Sequence, residues 1–222
     1  MNNLIKVLIA DDHTLFRTGI IRMLSNYPDI SVIDEAENGE ILYKKYFDNK
    51  PDVILVDISM PVLSGLEAVK KIRIKDKPVK ALFLSMYDSP DYVYSCLISG
   101  GMGLVNKDIL EGELVYAIRC VFSGKKYFGK HFNEEKLQDL LSKYESIYIA
   151  DSDIQIPNFT KREIEILKLI GNGYSSSIIA EKLFISIRTV DSHRTHLMHK
   201  LNFNTSSELI NFAIQYILKE DI

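Results

Sequence analysis

The first 121 residues alternate two patterns. Short apolar runs rich in β-branched residues occupy 4–10 (LIKVLIA), 30–34, 53–56, 80–84 and 103–105. Stretches with helical spacing follow them at 14–25, 39–48, 64–75, 90–99 and 111–122. In the first of these, Leu15, Ile20, Ile21 and Leu24 are read as one apolar side. Strands this short and this continuously apolar are covered on both faces. Five strands alternating with five helices predict a doubly wound parallel sheet with right-handed crossovers.

The alternation stops near residue 122. "SGKKYFGKHF" shows no period. Residues 134–144 place Leu137, Leu140, Leu141 and Tyr144 at i, i+3, i+4 and i+7, an amphipathic helix that packs on the first domain, packs on a partner chain or serves as a simple spacer. "YESIYIADSDIQIP" then reads as an extended or mobile, acidic, solvated tether. From residue 156 the pattern is helical throughout. Thr160 and Glu163 form a capping box before an apolar face of Ile164, Ile166, Leu167, Leu169 and Ile170. Gly173 stands where that helix ends in the left-handed conformation. A short helix (176–183), a tight turn with Ser186 as N-cap, and a longer helix (187–201) follow. Thr205 and Glu208 repeat the capping-box spacing ahead of a last helix ending near Lys219. The organisation is therefore 3–121, an α/β domain; 122–155, a linker with one helix; and 156–222, an all-α four-helix domain.

The strand ends carry the chemistry. Ligands of parallel sheets bind beyond the carboxyl ends of the strands, near the switch in strand order. Asp11 and Asp12 follow the first strand, Asp57 the third, Ser85 the fourth and Lys107 the fifth. Taken singly, Asp11 and Asp12 read equally well as helix caps for Thr14, and Lys107 as a surface lysine. Together they deliver three carboxylates, a hydroxyl and an ammonium to one edge. Such a cluster needs a cation, and oxygen-only donors suit Mg²⁺. With the cation present, one carboxylate can attack phosphorus and become an aspartyl phosphate. Pro61 and Gly65 are assigned to loop shape, Gly65 through an unusual backbone angle.

A short helix, a tight turn and a longer helix make a helix-turn-helix. The second helix enters the major groove with its N-terminal residues at base edges. The candidate DNA contacts are Arg188, Thr189, Asp191, Ser192, Arg194, Thr195 and Lys200. His193, His196 and His199 share that helix, but lack acidic partners at metal-ligand positions. Charge adds little: residues 1–121 carry net −3, 122–155 net −1 and 156–222 net +1. So faint a basicity would not by itself suggest nucleic acid. The N-terminus has no secretory-signal pattern, and no apolar run is long enough to span a bilayer. Cys96 and Cys120 lack metal-ligand spacing and read as buried thiols in a reducing compartment.

"IADDHTLFRTGI", "VILVDISMPVLSG", "LSMYD" and "NKD" resemble the receiver domain of two-component response regulators, over about residues 4–121. The resemblance implies a flavodoxin-like five-stranded sheet with Asp57 as phosphoacceptor. Asp12 and Asp57 would ligate Mg²⁺ directly with the backbone carbonyl of Ser59, and Asp11 through water. Lys107 would pair with the phosphoryl group, and Ser85 would swing inward. Leu104 stands where receivers often carry an aromatic switch residue, and Tyr87 is the nearby substitute considered. "FTKRE" and "GYSSSIIAEKLFISIRTVDSHRTHLMHKL" resemble the LuxR-type DNA-binding domain of the NarL/FixJ family, over about 157–219. Two departures predict weaker binding or more dependence on a dimer. Ser176, Ser177 and Ile178 replace a common Asn-Lys-Glu, losing a lysine and exposing an isoleucine. Asp191 replaces a common lysine.

The resemblance implies a cytoplasmic bacterial regulator, phosphorylated by a sensor histidine kinase, that binds promoter DNA as a homodimer. Leu209, Phe212, Ala213 and Tyr216 of the last helix are the dimerisation candidates. They serve equally well to pack their own domain. No membrane partner is expected, nor any enzyme activity beyond the chain's own phosphotransfer and dephosphorylation. The rival from another class is a Mg²⁺-dependent phosphohydrolase with an Asp nucleophile. Such enzymes commonly need a carboxylate two residues after the nucleophile, and here Ser59 stands there. A third reading keeps the helical domain as an interaction module that never meets DNA.

Overall fold

A computed structural model of the chain describes residues 4–86, 89–150 and 159–220. They form two compact units that part between Leu137 and Gln138. In the first, β1 (Ile5–Ala10), β2 (Ile30–Ala36), β3 (Val53–Asp57), β4 (Ala81–Ser85) and β5 (Gly103–Asn106) build one parallel sheet of order β2-β1-β3-β4-β5. The chain alternates them with α1 (Thr14–Leu24), α2 (Gly39–Asn49), α3 (Gly65–Lys75), α4 (Pro90–Ser99) and α5 (Glu111–Phe122). β1 lies between β2 and β3, so the strand order reverses there and a crevice opens beyond β1 and β3. Val7, Ile9, Leu55 and Leu84 pack with Ile20, Leu24, Leu114, Ile118 and Val121 of α1 and α5 in one core layer. Leu8, Ile54, Val56 and Phe83 alternate with them along the pleat and are fully buried as well.

Leu15 is 88% exposed, against expectation. Five residues of helix rotate it about 140° away from Ile20. The inner face of α1 instead buries Arg17 with Ile20 and Leu24. Arg17 donates from Nε to Glu35 Oε2 (2.6 Å) and from NH1 to the Asp11 carbonyl (2.5 Å), which satisfies the buried guanidinium.

Gly65 does not need an unusual backbone angle. It opens α3 under the Ser64–Glu67 capping box, and a Cβ there would lie 2.0 Å from the Asp57 carbonyl oxygen. The left-handed residue of this loop is Val62, at φ 64°.

The aperiodic segment after α5 belongs to the first unit. Tyr127 forms a bridge to Gly103, donating its N–H to Met102 O and accepting from Leu104 N, both at 2.9 Å. Its hydroxyl donates to Glu113 Oε1 (2.5 Å), and Phe128 beside it is buried. A single exposed-looking "YF" therefore closes the β5 edge, which no periodicity could announce. α6 (Glu134–Ala150) buries Leu137 and runs past residue 144 into the stretch expected to be extended. Residues 151–157 of that tether lie outside the described residues. Cys96 is buried, as expected, but Cys120 is only half-buried.

The second unit holds α7 (Lys161–Gly171), α8 (Ser176–Leu183), α9 (Ile187–Lys200) and α10 (Ser206–Glu220). Ile166, Leu167, Ile170, Ile179, Val190, Leu197, Leu209 and Ala213 make its core. Gly173 ends the α7 turn at φ 85°, as the sequence predicts. A Cβ at Gly171 would sit 2.5 Å from the Ala213 carbonyl oxygen, so glycine there lets α10 pack directly on α7. Ile178 is not exposed: it is 8% accessible and joins the core beside Tyr174. The apolar patch expected on the scaffold helix is therefore absent at this position.

Candidate phosphoacceptor pocket and recognition helix

The pocket forms where β1, β3, β4 and β5 end. Asp57, last residue of β3, is 5% exposed. Asp11, just after β1, is fully buried, and its Oδ1 accepts the His13 N–H (2.8 Å). His13 occupies the N-cap position of α1 without a side-chain cap bond, so Asp11 and Asp12 do not cap that helix. Lys107 follows β5. Its Nζ lies 2.7 Å from Asp11 Oδ2 and 3.1 Å from Asp57 Oδ1. The same ammonium sits 4.9 Å from the Phe16 ring centroid. Its backbone N–H donates to Ser85 O (2.7 Å), which ties the ends of β4 and β5 together. Ser85 is buried at the end of β4, and Ser59 is half-buried two residues after Asp57.

The electrostatics follow from this crowding. The Asp57 carboxyl is pushed up to about 7: burial raises it most, Lys107 pulls against that, and Asp11 and Asp12 add to the rise. Burial works against the Lys107 charge, but Asp57 and Asp11 outweigh it and hold that ammonium above its usual range. Asp11, Asp12, His13 and Asp57 each present a donor atom, all within 4.8 Å of one another. A set dominated by carboxylate oxygens fits a hard divalent cation, which would relieve their repulsion. His13 is the residue that reading the strand ends missed, because it lies in the loop rather than at a strand terminus. Phe16 was missed too: only the turn of α1 brings its ring over Lys107.

Leu104 is buried in β5 and pairs with Phe83 of β4. Its backbone N–H goes to Tyr127, so this position touches the connector. Tyr87 lies outside the described residues.

In the second unit, α8 ends at Phe184 in the left-handed conformation (φ 54°), and Ser186 caps α9 by accepting the Thr189 N–H (3.1 Å). Val190 and Leu197 turn inward. Arg188, Thr189, Asp191, Ser192 and Thr195 are exposed, and Arg194 is half-exposed. An open groove runs past Arg188, Thr189, Ser192, His193 and His196. Lys200 is paired with Glu163, which lines the same groove. Its Nζ donates to Glu163 Oε2 (2.9 Å) and sits 5.3 Å from the Phe159 ring centroid. Glu163 belongs to the Thr160 capping box; burial raises its carboxyl, but the Thr160 N–H and Lys200 prevail and hold it below its usual range. On α10, Leu209 and Ala213 are fully buried in their own domain, while Phe212 and Tyr216 remain half-exposed.

Comparison with known proteins agrees with both halves. The model for the response regulator receiver domain matches residues 7–119, and that for bacterial regulatory proteins of the luxR family matches 157–213. The chain is 36% identical over 216 residues to the oxygen regulatory protein NreC of Staphylococcus epidermidis, covering 97% of this chain and 99% of that one. NreC of Staphylococcus aureus (strain MRSA252) is 38% identical over the same length, with the same shares covered. Among solved structures, RcsB of Salmonella enterica serovar Typhimurium, bound to a promoter in the presence of a phosphomimetic, superimposes with a TM-score of 0.57. It is 26% identical, over 96% of this chain and all of that one. No helix among the described residues is long and apolar enough to cross a membrane. With both halves matched in order along nearly its whole length, this chain belongs to the two-component response regulators that join a receiver to a LuxR-type DNA-binding domain.

Proposed function

We propose that Asp57 accepts a phosphoryl group from a sensor histidine kinase and that the phosphorylated chain binds promoter DNA as a homodimer. The observation that carries this reading is the convergence of Asp57, Asp11, Asp12 and Lys107 at one sheet edge. An Asp57 oxygen attacks phosphorus, the P–N bond of the phosphohistidine breaks, and the imidazole leaves with the electron pair and gains a proton. Lys107 balances charge on the transferred group. Asp12, Asp57 and the Ser59 carbonyl would hold Mg²⁺ directly, and Asp11 through water. When bound, Mg²⁺ neutralises the carboxylates and polarises phosphoryl oxygens.

Water later cleaves the P–O bond and returns the carboxylate. With Ser59 where a phosphohydrolase would have its acid, the chain transfers and loses its own phosphate without turning over other substrates. Ser85 moves to bond the phosphoryl group, which biases the receiver between two states. Leu104 hands its half of the switch to the connector through Tyr127 rather than to an aromatic rotamer.

On DNA, Arg188, Thr189, Ser192 and Thr195 face base edges, with Arg194 on the backbone. Asp191 accepts from a cytosine amino group or steers a neighbouring arginine. Lys200 ties α9 to α7 through Glu163 at the floor of the groove. Phe212 and Tyr216 supply the dimer contact, and half-sites lie about 34 Å apart or a multiple of it. The setting is the bacterial cytoplasm, where kinase, Mg²⁺ and DNA meet.

The test is intact mass after incubation with Mg²⁺ and a small acyl phosphate. A single alkali-labile phosphate adduct, absent from Asp57→Ala, is expected. Gel shifts on selected random-sequence duplexes then compare the phosphorylated and unphosphorylated chains. Absence of an adduct from several donors, in a protein that still binds Mg²⁺, would sink the phosphoacceptor role.

A further inference from the structure

We infer that Phe16 is a positioning residue for phosphoryl transfer: its ring holds the Lys107 ammonium beside Asp57 when a cation has claimed the carboxylates that otherwise hold it. This rests on Asp57 being the phosphoacceptor. The ammonium lies 2.7 Å from Asp11 Oδ2, 3.1 Å from Asp57 Oδ1 and 4.9 Å from the centroid of the Phe16 ring, over which it sits. The Lys107 side chain is only 9% exposed, so little water is left to solvate its charge. A cation desolvated this far gains more from a ring face than an exposed one does.

The two carboxylates are conditional partners. They are the groups that would hold a divalent cation, and its charge weakens their pull on Lys107. The ammonium rides on a flexible four-carbon stem and would then be free to swing away. The ring makes no such exchange. It offers a metal no charge to claim, and its face attracts the ammonium in either state. It therefore keeps that cation within reach of the oxygens of the transferred group, where a preorganised charge contributes most.

The fold fixes the ring in place. Arg17, the next residue of α1, ties the helix to the sheet by donating to Glu35 Oε2 and to the Asp11 carbonyl. Phe16 itself is half-buried and packs against the core layer that α1 and α5 share with the sheet. An aliphatic side chain would fill much of the same space, but only an aromatic ring presents a π face to the ammonium.

The test uses the full chain with Phe16→Leu, Phe16→Met and Phe16→Tyr. Proton NMR of the Lys107 Cε group, assigned by its loss in Lys107→Arg, reads the contact directly. In the native chain these protons should be shifted upfield by the ring current, both in EDTA and in saturating Mg²⁺. The shift should persist in Phe16→Tyr and vanish in the two aliphatic variants. The rate of Asp57 phosphorylation by a small phosphoramidate at saturating Mg²⁺ should fall about fivefold in the aliphatic variants and be restored in Phe16→Tyr, with the Mg²⁺ Kd changed by less than about twofold. No upfield shift in the native chain would overturn the inference whatever the variants do. So would a shift that disappears on adding Mg²⁺, or an unchanged rate in an aliphatic variant that keeps the native urea midpoint. A parallel loss of Mg²⁺ affinity would overturn it too, because the ring would then only hold the carboxylates in place. Absence of any adduct on the native chain would remove the phosphoacceptor reading and the transfer role with it. The NMR shift, which needs no phosphate, tells that failure apart from the others.

Discussion

Val62 holds a backbone angle that β-branched residues avoid, in the loop that shapes the phosphoacceptor pocket. Its side chain is exposed, so removing it forfeits little burial. Val62→Gly is expected to stabilise the receiver by about 1 kcal/mol, read as a higher midpoint in urea with unchanged slope. Asp57 carries a second residue-scale consequence. Its carboxyl keeps a proton up to about pH 7 in the fold but loses it near 3.8 in the unfolded chain. Between those values the native state binds more protons, so this contribution is present at low pH and fades as pH rises through 7. In EDTA, the receiver's unfolding transition should fall from pH 5 to pH 8 relative to Asp57→Asn. Adding Mg²⁺ should restore it more at pH 8 than at pH 5, by up to about 3 kcal/mol at a hundredfold excess over Kd. Equal pH profiles for the two proteins would refute the assigned shift.

At the scale of elements, α9 is presented by its cap and by its packing on α7. Ser186 satisfies the Thr189 N–H at the end of α9 that we propose meets the base edges. Ser186→Ala should cost about 1 kcal/mol of domain stability and weaken DNA binding through fraying of that first turn. Gly171→Ala should cost more, because its Cβ would meet the Ala213 carbonyl of α10 at 2.5 Å. Circular dichroism melts of the two variants rank these effects, and the order would reverse if α10 could slide aside. The connector belongs to this scale too. Tyr127 pairs with the edge of β5, one residue from Leu104 and four from Lys107, so the segment after α5 is hydrogen-bonded to the strand that leads to Lys107.

For the whole molecule, charge limits affinity. The last 67 residues carry net +1, and their recognition face offers Arg188 and Arg194 against Asp191. With about two phosphate-facing cations per domain, log K should fall against log salt with a slope of about −4 for a dimer. Asp191→Asn should raise affinity severalfold without steepening that slope by more than one unit, measured by fluorescence anisotropy across salt. A much steeper slope would mean that cations outside α9 carry the contact. Modest affinity per domain makes pairing of two chains the step that phosphorylation can control.

Much of this was legible in the chain itself. Apolar runs predict the five strands to within two residues; β3 and β4 are buried along their whole length, as expected, whereas the edge strand β2 is half-exposed and carries Asp34 and Glu35. Caps such as Thr160–Glu163 and Ser186 fix helix starts locally, and the polar residue after each strand points to the pocket. What lay beyond it depends on neighbours distant in sequence. Arg17 rather than Leu15 turns inward because Glu35 of β2 and the end of β1 receive it. Tyr127 becomes a strand edge only when β5 is there to pair with it. Ile178 is buried because Tyr174 and the rest of that core close over it. His13 joins the acidic pocket because β1 and β3 end side by side. The sequence by itself determined the elements, their order and the residue types at the strand ends, since periodicity and capping act over a few residues. The tertiary structure alone decided which of those groups meet, and how far burial and mutual repulsion shift their charge.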